Sequence, residues 1–274
     1  MSIAPLYGLV LAGGASRRMQ RDKAALEYQG QAQLQRAYEL LHAHCAQTFV
    51  SIRADQRDAL RSRWPHITDQ LVGAGPLAGI AAAQAAHPQV AWLVIACDLP
   101  LLKPHVIANL IQRRDATRVA TAYRNAADQL PEPLCAIWEP SSAPPVQAAL
   151  AAGEFSPRAF LQKSPILLLD ADEPEALNNV NTPDEYRQAS NKLGTLELQL
   201  QYFAILREQT GKRSETLTTS AATPAQLYAE LQQRYDFKLS ATQLKVAINN
   251  EFSDWQQPLK SGDVVTFIPP VAGG

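Results

Sequence analysis

Leu6-Tyr7-Gly8-Leu9-Val10-Leu11-Ala12-Gly13-Gly14-Ala15-Ser16-Arg17-Arg18-Met19-Gln20-Arg21-Asp22-Lys23 is the stretch on which the reading of this chain turns. Its first six residues form a short apolar run of strand type, and a glycine pair follows almost at once. Glycines at the end of a strand allow a turn in which any Cβ would obstruct, so backbone N–H groups can close on phosphate oxygens. Arg18 and Lys23 bring positive charge to the same space. That suits a reaction in which charge builds on an α-phosphate and a departing pyrophosphate. A tight turn followed by a solvated basic stretch fits a lone Gly-Gly equally well. The spacing is neither that of a Walker loop nor that of the dinucleotide fingerprint.

Working outward, β-branched and apolar runs alternate with helical patterns through the first two-thirds of the chain. Strands are expected at 6–11, 48–53, 92–96, 118–123, 134–138 and 166–169, with helices at 34–45, 78–87, 104–113 and 145–152. Pro104 suits a first helical turn, and Thr182-Pro183 reads as another helix start. This alternation predicts an α/β domain with a Rossmann-like, mainly parallel sheet covered by helices on both faces. The apolar period fades after residue 188. The expected division is a first domain at 1–190, a linker at 191–195 and a second domain at 196–274.

The second domain has a different grammar. A strand is expected at 196–204, a helical turn at 206–211, a second strand at 215–219, and a helix at 224–235 with Thr223 as N-cap and Pro224 at its first position. Strands at 244–249 and 264–268 complete a β-β-α-β-β order, that of a small α+β ubiquitin-like β-grasp sheet holding one helix. The sequence closes on Phe267-Ile268-Pro269-Pro270-Val271-Ala272-Gly273-Gly274. Two terminal glycines carry no side chains and can thread a narrow cleft, although a frayed terminus is the more ordinary meaning of such a pair.

Composition bounds the function. With 274 residues, 46% hydrophobic, 19% charged and a formal net charge of −1, the chain has material for a large core and no global pull toward nucleic acid or anionic membrane. No run reaches membrane-span length and no signal peptide opens the chain, so no membrane or nucleic-acid partner is expected. Cys45, Cys97 and Cys135 have neither zinc spacing nor a disulfide pattern. They read as small buried hydrophobes in a cytoplasmic protein.

Leu-Ala-Gly-Gly-x-Ser-x-Arg-Met followed by Asp-Lys resembles the opening of molybdenum cofactor guanylyltransferases and related nucleoside-triphosphate transferases. Gln20 departs from the glycine usual after Arg-Met. Asp69 followed by Gly73-Ala74-Gly75-Pro76-Leu77-Ala78-Gly79-Ile80 matches the family's Asp and Gly-Pro-Leu-x-Gly-Ile, Cys97-Asp98-Leu99-Pro100 its metal-site strand end, and Asn179-Val180-Asn181-Thr182-Pro183 a later asparagine segment. Without those neighbours Asp98 reads as a helix N-cap about as readily as a ligand. The resemblance implies nucleotide contacts at Leu11, Ala12, Gly13, Gly14, Lys23, Asp69, Gly75 and Asp98, and at Ser51, which with Arg53 occupies a strand where the family often has asparagine. It implies catalytic roles for Arg18, Lys23 and Asp98, and Mg²⁺ held by Asp98 and Asn181 with GTP as substrate. The acceptor implied is molybdenum-molybdopterin. Arg158 lies in a segment similar to one near the family's acceptor, or is a solvated helix residue. CTP use, or a degenerate scaffold that only binds nucleotide, are the alternatives for this domain.

Tyr202-Phe203-Ala204-x-Leu206-Arg207-Glu208, Val246-Ala247-Ile248-Asn249, Leu259-x-x-Gly262-Asp263-x-Val265 and the closing octapeptide together resemble the small, sulfur-carrying subunit of molybdopterin synthase. The resemblance implies that Gly274 is adenylated by an E1-like activating enzyme and converted to a thiocarboxylate. The thiocarboxylate is then delivered to the synthase large subunit. Phe203, Leu206 and Val265 read as core residues.

Overall fold

The computed structural model describes residues 3–13, 19, 22–56, 58–69, 71 and 75–270. The chain divides into two compact units. The first comprises Met1–Leu26 and Gln31–Thr182, and the second comprises Glu27–Gly30 and Pro183–Gly274.

In the first unit, strands β1 (Leu6–Leu11), β2 (Gln47–Arg53), β3 (His66–Asp69), β4 (Ala91–Ala96), β5 (Ala120–Arg124), β6 (Pro131–Trp138) and β7 (Leu167–Leu169) form one sheet in the order β3-β2-β1-β4-β6-β5-β7. The β1–β2, β1–β4, β2–β3 and β5–β7 pairs are parallel, and only β6 runs against its neighbours. Helices α1 (Gln33–His42), α2 (Gly75–Ala86), α3 (Pro104–Gln112), α4 (Ala143–Ala151) and α5 (Pro157–Gln162) cover it.

The continuous apolar character of β1 and β4 follows from burial on both faces. Side chains alternate across a strand, so Val10, Leu93 and Ile95 join Leu34, Leu41, Val106 and Leu110 of α1 and α3 in one core. Leu9, Trp92 and Val94 enter the opposite core with Leu77 and Ile80 of α2, Val146 of α4 and Phe160 of α5. The expected α/β architecture is present. β3 is an addition, because four residues with one aliphatic side chain are too few to show a strand period. β6 also begins three residues earlier than expected, at Pro131.

The second unit contains helix α6 (Pro183–Lys192), strands β8 (Leu196–Tyr202), β9 (Ser214–Thr219), β10 (Lys245–Ile248), β11 (Glu251–Ser253) and β12 (Val264–Ile268), and helices α7 (Ala204–Thr210) and α8 (Pro224–Tyr235). The sheet order is β9-β8-β12-β10-β11, with β8 and β12 parallel at its centre. Leu227, Tyr228 and Leu231 of α8 pack on Leu198, Leu200, Val246, Val265 and Phe267 of the sheet. This is a β-grasp unit. Thr223 caps α8 by accepting from the Gln226 N–H, and Pro224 occupies the first turn.

Four details differ from the expectation. β8 stops at Tyr202 because Phe203 becomes the N-cap of α7 and Ala204 takes a positive φ of 44°. Phe203 is 52% exposed, so it is not a core residue, whereas Leu206 and Val265 are fully buried. β11 is an added edge strand, reached through a tight turn in which Asn249 and Asn250 both have positive φ. Asparagine tolerates that region better than most residues, which makes the hairpin possible without glycine. Finally, α6 carries regular helix through residues 191 and 192, and the Gln29 side chain donates to the Leu193 carbonyl at 2.9 Å.

Cys97 and Cys135 are buried and Cys45 is partly so. Burial pushes the Cys45 and Cys97 thiols up to about 12, which leaves them protonated and inert at neutral pH. Among the described residues, no helix is long and apolar enough to cross a membrane.

Candidate active site

The carboxyl ends of β1, β2, β3 and β4 open on one cavity of about 360 Å³ in the first unit. β1 has β2 on one side and β4 on the other, so the chain order reverses there. Crevices at such switch points are where open α/β sheets bind ligands. Leu11, Ala12, Gly13, Lys23, Ser51, Arg53, Asp69, Gly75, Gly79 and Asp98 all line the cavity.

Each wall has a local cause. The Ala12 N–H still pairs with the Ser51 carbonyl and the Cys97 N–H with the Leu11 carbonyl, so the strand ends are held level where the chain turns away. Gly75 opens α2 with a φ of 65°, a conformation costly to a residue with a side chain. Gly79 brings α2 against the strands: a Cβ there would lie 2.5 Å from Ser51 Oγ and 3.1 Å from Leu11 Cδ2. Ser51 is thus a buried wall residue fitted against a missing side chain.

The polar centre joins three distant parts of the sequence. Lys23 Nζ donates to Asp98 Oδ2 at 2.8 Å and to Asn181 Oδ1 at 2.7 Å. Asp98 does not cap a helix, since α3 begins at Pro104 with Lys103 as its N-cap. Its second oxygen, Oδ1, is buried and has no hydrogen-bond partner among the described residues. An unsatisfied carboxylate oxygen in a polar crevice is costly alone and suits a hard cation. Among the described residues there is no cluster of three or more His, Cys, Asp or Glu able to hold a metal. Mg²⁺, however, commonly takes only one or two protein carboxylates and completes its shell with phosphate and water. The donor set at Asp98 therefore fits such an ion.

Asp69 stands at the end of β3, with Oδ1 accepting from the Leu71 N–H at 2.9 Å. Burial raises its pKa above the ordinary value, outweighing that hydrogen bond. Arg158 is not simply a solvated helix residue. From α5 it donates to Asp128 at 2.7 Å and to the buried Glu132 at 3.0 Å. Burial raises the pKa of Glu132, although the Leu134 N–H and Arg158 act in the other direction.

Gly14, Arg18, Gln20 and Gly274 lie outside the described residues, as do Gly73 and Gly273.

Of two arginines at the site, the sequence marked Arg53 only by its place beside Ser51, and it did not mark Arg61. Arg53 Nη1 donates to the Gly13 carbonyl at 2.7 Å. Arg61, from the connection between β2 and β3, is only 2% exposed and donates to the Ala12 carbonyl and to the carboxylates of Asp22 and Asp58. Its neighbours Asp58, Ser62 and Arg63 make the segment look like a solvated charged loop, so the sequence carried no signal of its burial.

Comparison with known proteins places these features in context. Residues 8–167 match the MobA-like NTP transferase domain family, and residues 200–274 match the ThiS family. A Synechocystis protein described as a molybdenum cofactor biosynthesis bifunctional protein is 38% identical over 189 residues, covering 69% of this chain and 54% of that protein. The matched region thus spans about half the length of that relative. A probable molybdenum cofactor guanylyltransferase of Opitutus terrae is 35% identical, over 66% of this chain and 92% of its own length. Among solved structures, the molybdopterin-guanine dinucleotide biosynthesis protein A of Archaeoglobus fulgidus shares 26% identity with a TM-score of 0.59, over 68% of this chain and 97% of its own.

Proposed function

The chain belongs to the MobA-like NTP transferase domain family, and on that footing we propose that its first unit transfers a guanylyl group from GTP to molybdenum-molybdopterin with release of pyrophosphate. What carries the reading is the convergence of Lys23, Asp98 and Asn181 at the switch-point cavity. That relatives in several organisms are described as molybdenum cofactor guanylyltransferases supports GTP over CTP as the donor.

Asp98, whose Oδ1 has no partner among the described residues, would hold Mg²⁺ with Asn181 beside it, and the ion would supply neutralisation of triphosphate charge when bound. Lys23, held by Asp98 and Asn181, lines the cavity where the phosphate oxygens of a bound nucleotide would lie. A preorganised cation of this kind stabilises charge developing on the leaving group without reorganisation cost. Arg18 is assigned to the same leaving group. Leu11, Ala12, Gly13 and Gly14 cradle the nucleotide backbone, and Gly75, Ser51 and Asp69 line the end toward base and ribose. The acceptor is a phosphate, already anionic, so no protein general base is required.

The second unit, matched to the ThiS family, is assigned sulfur carriage on a Gly274 thiocarboxylate. It would be adenylated by an E1-like enzyme and deliver sulfur to the molybdopterin synthase large subunit. We assign the two activities to 1–190 and 196–274. The test is pyrophosphate release by the full chain with Mg²⁺, the molybdopterin acceptor and GTP, CTP or ATP in turn. GTP should support release well above the other two. Equal rates, or none, would overturn the reading.

A further inference from the structure

A guanidinium that is 98% buried must find a partner for nearly every donor, and the identity of those partners says what it organises. Arg61 Nη2 donates to the Ala12 carbonyl at 3.1 Å and to Asp22 Oδ1 at 2.9 Å. Nε reaches the same carbonyl at 3.3 Å, and Nη1 reaches Asp22 Oδ2 at 2.7 Å and Asp58 Oδ2 at 2.6 Å. Ala12 is the first residue past β1, and Asp22 immediately precedes Lys23. One planar fork therefore ties the end of β1, at Ala12, to Asp22, the residue before Lys23. Asp22 serves twice: its Oδ1 also accepts from the Ala24 N–H at 3.1 Å, capping the short 3₁₀ turn Lys23–Ala25 that presents the lysine.

We infer that Arg61 is a positioning residue: by fixing Asp22 against the Ala12 carbonyl, it holds the turn that aims Lys23 at Asp98, Asn181 and the phosphates of a bound nucleoside triphosphate. This rests on the nucleotidyltransferase reading above and adds a residue to it. Asp58 is the outer brace, since its Oδ1 accepts from the Arg61 N–H at 2.9 Å while Oδ2 takes the guanidinium. Lysine cannot replace this arrangement. An ammonium is a point charge without the fork needed to reach a carbonyl and two carboxylates at once.

The experiment is a double-mutant cycle on the full chain, with GTP and guanosine binding measured in the presence of Mg²⁺ for wild type, Arg61→Lys, Lys23→Ala and the double variant. Because Arg61 acts through Lys23, Arg61→Lys should weaken GTP binding about tenfold while leaving guanosine within about twofold, and the double variant should bind GTP no more weakly than Lys23→Ala alone. Additive losses in the double variant, or an equal loss for guanosine, would overturn the inference. If Arg61→Lys does not fold, Asp22→Asn loosens the same fork from its partly exposed side and is judged by the same cycle. A wild-type chain that binds none of GTP, CTP and ATP overturns the nucleotidyltransferase reading and this inference together. Wild-type binding with an additive cycle overturns this inference alone.

Discussion

Lys23 and Asp98, 75 residues apart, form a 2.8 Å ion pair whose side chains are 18% and 19% exposed. The pair satisfies only one carboxylate oxygen, and the other is buried without a partner among the described residues. A site arranged solely for stability would pair both oxygens, because an unsatisfied buried acceptor costs about 1–3 kcal/mol. The asymmetry is what a carboxylate shared between a lysine and a cation requires.

Asp98→Asn is expected to abolish Mg²⁺-dependent pyrophosphate release while the chain still unfolds cooperatively. The amide keeps the shape but removes the charge that favours both Lys23 and a cation. Release at a near-normal rate, read by a coupled pyrophosphate assay, would exclude Asp98 from that role.

Gly79→Ala should lower stability by about 1–3 kcal/mol, the usual range for forcing an extra carbon into a packed wall. The added Cβ would meet Ser51 Oγ, so Ser51→Ala in the same chain should recover part of the loss. Denaturant titration of the single and double variants measures this. No recovery would mean that Leu11, rather than Ser51, sets the fit.

Asp58 provides a pH signature for the Arg61 cluster. Burial pushes its pKa up, but hydrogen bonds from Arg61 and the Leu60 N–H, with the Arg61 charge, bring it below the ordinary 3.8. A lowered folded-state pKa gives stability that is present above the unfolded value and lost as pH falls through the folded one. Asp58→Asn should therefore be less stable than wild type at pH 7, with the gap closing below about pH 4. A gap that is constant across thermal melts from neutral to acid pH would contradict the assignment.

Deleting Gly273-Gly274 should separate the two proposed activities. After incubation with an activating enzyme, ATP and a sulfur donor, the full chain should gain about 16 Da, the exchange of one carboxylate oxygen for sulfur. The truncated chain should gain nothing and still release pyrophosphate from GTP. The same mass gain on the truncated chain would remove Gly274 as the sulfur-bearing residue. Loss of nucleotidyl transfer would show that the tail serves the first site.

By itself, the sequence determined what short-range periodicity can express. Leu6–Leu11 and Ala91–Ala96 are apolar throughout, so they had to be strands buried on two faces. Thr223-Pro224 had to open a helix, and the alternation of strands and helices had to build a mainly parallel sheet. The edge strands at His66–Asp69 and Glu251–Ser253 escaped, because at four and three residues they are held by pairing with a neighbour more than by any pattern of their own. The cavity-lining residues from Leu11 to Asp98 were legible through their motifs, since glycines and charged groups at strand ends are local features. Tertiary structure alone decided that Phe203 faces solvent, that Asp98 has one oxygen without a partner among the described residues, and that Arg61 is buried. Burial of a charge depends on acceptors supplied from elsewhere in the chain, here Ala12 and Asp22, and no local period records where those will be.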